Sequence, residues 1–169
     1  MGALALVLRY AEAMRRAAQE TRTYFLTLVT AQRRRIFQVT NTADLMLDHL
    51  QNQRRKGRLE LYAFVIMPDH LHLLLTPAHD VSLEKTVQFI KGGFSFLLKS
   101  KLDVWERGYN EVQVKSLEQF EAFRTYIEEN PVRAHLVSAA GEYPHSSAAN
   151  KQIVDRCPEW LAGVETIRG

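Results

Sequence analysis

Cysteine is almost missing from this chain: Cys157 stands alone in 169 residues, so no internal disulfide framework holds the fold together. That usage fits a reducing compartment. No run approaches the ~18 consecutive apolar residues of a membrane-spanning helix. The start, Met1-Gly-Ala-Leu-Ala-Leu-Val-Leu8, has no basic residues ahead of its apolar stretch, and Arg9 cuts that stretch short. A secretory signal is therefore not expected, and the expected location is cytoplasmic. Repeats and low-complexity tracts are also absent.

What is present is ordinary for a globular protein: 46% hydrophobic and 24% charged residues. The length suits one domain with a full core, needing neither disulfide nor structural zinc. The net charge of +3 is mildly basic, and the basic residues are bunched. Arg33-Arg34-Arg35 forms one cluster, and Arg54-Arg55-Lys56 with Arg58 forms another. Such clusters are either solvated helix ends and loops or a surface that tracks phosphates. Lys91 and Lys99 fall on the polar side of a predicted helix, solvated or touching DNA.

Residues 3–19 are rich in Ala, Leu, Arg and Glu and predict a helix; Met14 is a second candidate start. Thr23 to Thr30, β-branched and aromatic, predicts a first strand. Residues 42–56 predict a helix with Leu45, Leu47 and Leu50 on or near its buried side, stopped by Gly57. Leu59 to Met67 alternates as a second strand, with Leu59, Leu61, Ala63 and Val65 on one face. Pro68-Asp69 turns the chain into a hairpin partner. Ser82 caps a helix whose Leu83, Val87, Ile90, Phe94 and Leu97 keep helical spacing. Gly92-Gly93 inside it implies a kink or a close approach to the backbone. Val104 to Val114 reads as extended. Ser116 with Gln119 opens a further helix, and Pro131 is expected to end it. The order is that of an α+β, ferredoxin-like βαββαβ antiparallel sheet with helices on one face, plus an additional helix.

His70-Leu71-His72 lies on the strand after the turn. Residues i and i+2 of a strand share a face, so two imidazoles stand together while Leu71, Leu73 and Leu75 point to the core. Neutral imidazole is a good ligand for borderline divalent metals. Tyr126 and Asn130 form an i, i+4 pair on the additional helix. Were that helix to cross the open face, both would approach the histidines, and the Asn130 amide oxygen would offer a third ligand. Asp69 reads as a turn residue pointing away from His70. Arg133 either holds a phosphate or caps the preceding helix end.

His70-Leu71-His72 with Tyr126-Ile-Glu-Glu-Asn-Pro-Val-Arg133 and Leu136-Val137 resembles the single-tyrosine HUH transposases, in particular the REP-associated tyrosine transposases. Trp105-Glu-Arg-Gly-Tyr109 and Tyr143-Pro-His-Ser-Ser147 are similar to that group too. The resemblance spans residues 22–148; it leaves 1–21 as an extension and 149–169 as a tail. It implies an enzyme that cuts and rejoins single-stranded DNA beside a REP-like hairpin, through a 5′-phosphotyrosine intermediate, as a monomer or homodimer. Carried over, His70, His72 and Asn130 hold Mg²⁺ or Mn²⁺, and Tyr126 is the nucleophile. Glutamine is common in the wider superfamily where this chain has Asn130. The DNA surface would draw on Arg33, Arg34, Arg35, Arg54, Arg55, Lys91 and Arg133. Histidine-triad hydrolases are disfavoured, because Leu74 stands where their third histidine belongs. The non-catalytic alternative is a domesticated hairpin-binding module.

Overall fold

Four strands form one sheet in the order β2-β3-β1-β4, every neighbouring pair antiparallel. They are β1 (Thr23–Val29), β2 (Leu59–Met67), β3 (His70–Pro77) and β4 (Asn110–Val114). Helix α1 (Thr40–Arg55) links β1 to β2, and α2 (Leu83–Leu98) links β3 to β4. This is the expected ferredoxin-like topology. The additional helix α3 (Leu117–Arg133) follows β4, and a single turn, α4 (Glu159–Ala162), comes last. The computed structural model describes residues 4–9, which are helical, and residues 22–162. The rest of the helix expected over 3–19, and Met14, lie outside the described residues.

Strand alternation divides the apolar side chains between two layers. Leu26, Leu28, Leu71, Leu73 and Leu75 pack with Met46 and Leu50 of α1 and with Val87, Ile90 and Phe94 of α2. On the other face Ala63, Val65, Leu74 and Val114 pack with Phe120 and Ile127 of α3. So α3 does cross the face that α1 and α2 leave open. As expected, Leu45, Leu47 and Leu50 lie on or near the buried side of α1: Leu50 is buried, and Leu45 and Leu47 are half-buried against the core, with Met46, His49 and Gln53 buried beside them.

The expected unbroken alternation of β2 fails at Tyr62. A register shift between Leu61 and Ala63 marks a bulge, which puts Tyr62 and Ala63 in the same layer and exchanges the faces of everything after it. Leu59 and Leu61 therefore face α1 and α2, whereas Ala63 and Val65 face α3. The buried Tyr62 hydroxyl bonds Glu60 at 2.6 Å and Thr76 at 2.9 Å, partners that hold the bulge.

The free edge of β2 is closed by the tail. Ile66 N donates to His145 O, Ser147 N to Phe64 O, and Asp155 N to Leu61 O. Unpaired edge groups invite association with other chains, and this segment satisfies them internally. It is clamped twice to α1, by His145 on Asp44 at 2.7 Å and by Arg54 bidentate on Asp155 at 2.6 and 2.9 Å.

Pro131 does not end α3; the helix runs to Arg133. Proline there forgoes one i→i−4 backbone bond, and the helix continues two residues past it. The stop is His135 in the left-handed region (φ 56°). His135 N bonds Val132 O and Leu136 N bonds Pro131 O, the paired bonds of a Schellman ending. Only Asn110–Val114 of the segment expected to be extended is strand. Residues 104–109 form a loop held by Trp105 Nε1 on Lys91 O and by Lys91 Nζ on Glu106 O and Gly108 O, each about 3 Å.

The glycine pair has a physical account at one position. His49 Nε2 donates to Phe89 O and Ile90 O of α2, and a Cβ on Gly93 would lie 2.6 Å from the His49 ring. Nothing lies within 4 Å of a Cβ on Gly92. Gly92→Ala should therefore stabilise the fold by up to about 1 kcal/mol through helix propensity. Gly93→Ala should destabilise it by about 1–3 kcal/mol through overpacking. Thermal denaturation of the two variants checks the opposite signs.

Candidate active site

The Pro68-Asp69 turn starts β3 at His70, so His70 and His72 emerge on the face covered by α3, with ring centroids 4.7 Å apart. Opposite His72 across the sheet stand Thr27 and Val65; opposite His70 stand Val29 and Met67. Phe25 stacks on His72 at 5.3 Å and on Phe123 of α3 at 4.6 Å. This stack seats α3 so that the Tyr126 ring lies 5.4 Å from His72 and edge-on to Phe25 at 5.9 Å. The two histidines and Tyr126 thus meet within one chain. Asn130 lies one helical turn beyond Tyr126, half-buried, inside the helix and not at its frayed end.

Each histidine is oriented through Nδ1. His70 Nδ1 is 2.7 Å from Asp69 Oδ1; a carboxylate only accepts, so Nδ1 donates and Nε2 is the ring nitrogen left for a ligand. Asp69 therefore does not point away from His70 as expected, because the turn folds its carboxylate back. Burial alone would raise the Asp69 carboxyl, but the His70 hydrogen bond and the Arg33 guanidinium 3.5 Å away outweigh it and hold it below its ordinary value. His72 Nδ1 lies 2.9 Å from Thr27 Oγ1, and a hydroxyl can accept that proton too. Burial, reinforced by the His70 charge, pushes His72 down to about 4, so it is neutral at pH 7. Two imidazoles tethered through Nδ1, each able to offer Nε2 in its neutral form, are a donor set suited to a divalent cation. Among the described residues, no group of three or more His, Cys, Asp or Glu side chains is arranged to hold a metal. The third ligand expected from the sequence, the Asn130 amide, is of a different type.

The expected basic residues separate. Arg33 is largely exposed and reaches Asp69, and the exposed Arg133 guanidinium lies 5.3 Å from the Tyr126 ring centroid. These two are beside the site. Arg35 and Arg55 are exposed. Arg34 is bonded to Ala31 O and Asp103 O, Arg54 to Asp155, and Lys91 to the 104–109 loop, so these three serve the fold. Sequence reasoning missed Thr27 and Phe25; their signal was period-two alternation along β1, which puts both on the histidine face.

A family model described as "Transposase IS200 like" matches residues 18–130. Among solved structures, the chain is similar to a REP-associated tyrosine transposase bound to a REP hairpin. The identity is 25% and the TM-score 0.66, over 76% of this chain and 77% of that one. It is also similar to a candidate transposase from Deinococcus radiodurans R1, at 26% identity and a TM-score of 0.49, over 63% of this chain and 88% of that one. No curated protein matches the chain.

Proposed function

The chain belongs to the IS200-like transposase family, and on that premise we propose that it is a metal-dependent single-stranded DNA endonuclease and strand transferase. It cuts beside a DNA hairpin through a 5′-phosphotyrosine intermediate. The observation that carries this reading is the seating of Tyr126 against His72, with His70 alongside. The hairpin substrate is supported by the solved relative, which is bound to one.

Tyr126 Oη attacks the scissile phosphorus. The Oη–P bond forms and the P–O3′ bond breaks; the phenol gives up its proton and the leaving 3′-oxygen gains one. One phosphodiester replaces another, so a later 3′-OH can reverse the attack and join a new end. Packing against Phe25 and His72 holds the ring in place, so little orientational freedom is lost on reaction. His70 and His72 through Nε2, with the Asn130 amide, would hold Mg²⁺ or Mn²⁺, which supplies charge stabilisation to a phosphoryl oxygen. Asp69 and Thr27 keep the two imidazoles oriented for that task. The seating of Tyr126 against this chain's own His72 supports a monomer, with the homodimer as the alternative.

The test is a nicking assay on a single strand carrying a REP-like hairpin, with and without Mg²⁺ or Mn²⁺. A cut next to the hairpin that stops on chelation is expected. Hairpin binding with no cut under any metal would overturn the enzyme reading in favour of a binding module.

A further inference from the structure

Next to the cross-strand partners of the histidines lies a cavity of about 390 Å³ whose lining includes Thr27, Val29, Arg33, Glu106, Arg107 and Asn110. It is continuous with the site, since Thr27 lines it and also bonds His72. Register fixes its floor: Asn110 pairs with Thr27, and directly opposed residues share a face, so the Asn110 side chain stands on the histidine face. Asn110 and Arg107 are exposed, and Thr27 and Val29 are half-buried.

The wall is rigid. Lys91 ties down the backbone of Glu106 and Gly108, Trp105 is anchored on α2, and the Glu106 carboxylate accepts from Gln32 N at 2.6 Å. That last bond engages one oxygen, Oε1, of the one acidic side chain of the lining. The lining also offers two guanidinium groups, Arg107 and Arg33, the latter keeping donors beyond its 3.5 Å contact with Asp69, and one amide, Asn110. Guanidinium groups recognise phosphate, and a side-chain amide reads a base edge through paired donor and acceptor.

We propose that this cavity holds one unpaired nucleotide of a DNA strand next to the scissile phosphate, Arg33 and Arg107 taking its backbone and Asn110 reading its base. The proposal rests on the function proposed above. A strand engaging His70 and His72 meets this cavity at Thr27 and Val29, their partners on β1. Asn110 is then a specificity residue, and Lys91 a positioning residue that acts through the loop.

The test uses binding, so it does not depend on cleavage. Fluorescence anisotropy of the full chain is measured with deoxythymidine, deoxycytidine and deoxyadenosine homopolymers about twelve nucleotides long. A homopolymer places the same base in the cavity whatever its register. Wild type should rank the three with a spread of about fivefold or more. Asn110→Ala should compress that spread to within about twofold, and Arg107→Ala should weaken all three about equally and reduce the salt slope by about one. Both side chains are exposed, and matching melting curves confirm folded variants. An unchanged ranking in Asn110→Ala, or no preference in wild type, overturns the proposal. If the binding results hold but no metal supports cutting, the strand-transfer reading fails and the cavity assignment stands.

Discussion

Replacing Tyr126 by phenylalanine is expected to abolish covalent capture of hairpin-flanked single-stranded DNA, with a fall of at least about 10³-fold, or roughly 4 kcal/mol in barrier. The variant keeps the ring that packs on Phe25 and His72 and loses only the hydroxyl. Folding and DNA binding should therefore persist, measured by melting and by anisotropy on the same oligonucleotide. Arg133 beside the ring adds to the contrast: it can still bind phosphate when the nucleophile is gone. Retention of covalent product in Tyr126→Phe would remove Tyr126 from the mechanism.

The second large effect belongs to the histidines. His70→Ala and His72→Gln should each reduce metal-supported nicking by more than the about 10–100-fold typical of losing a residue that only orients a ligand. Asp69→Asn and Thr27→Val supply that comparison, because they touch His70 Nδ1 and His72 Nδ1 and leave both imidazole Nε2 atoms in place. Metal titrations of nicking separate the two groups. Higher metal concentration should recover activity in Asp69→Asn and Thr27→Val, and fail to do so when a histidine is gone. Equal losses in all four variants would mean a structural effect instead of ligation.

The sequence carries the strand and helix order, the shared face of His70 and His72, and the i, i+4 relation of Tyr126 to Asn130, because each follows from local periodicity. Its failures are tertiary. The bulge at Tyr62 is held by Thr76, a residue of the neighbouring strand, and no alternation within β2 signals it. Pro131 looks like a stop until His135 is seen to take the left-handed conformation. Asp69 reads as pointing away from His70 because alternation applies to a strand, and it occupies the turn before one. Arg54 and Lys91 look like free cations; their partners, Asp155 and the backbone of Glu106 and Gly108, are distant in sequence or sit in an irregular loop. Tyr143-Pro-His-Ser-Ser147 carries a family resemblance in sequence, and its physical role, closing the edge of β2, is visible only in the fold.

The most direct measurement is mass mapping of the protein–DNA adduct. The full chain is incubated with a hairpin-bearing single strand and Mg²⁺ or Mn²⁺, then denatured and digested. The account predicts one adduct, a 5′-phosphonucleotide on the hydroxyl of Tyr126, absent when metal is chelated. An adduct on another residue, Tyr109 included, or cleavage that leaves no adduct at all, would contradict it.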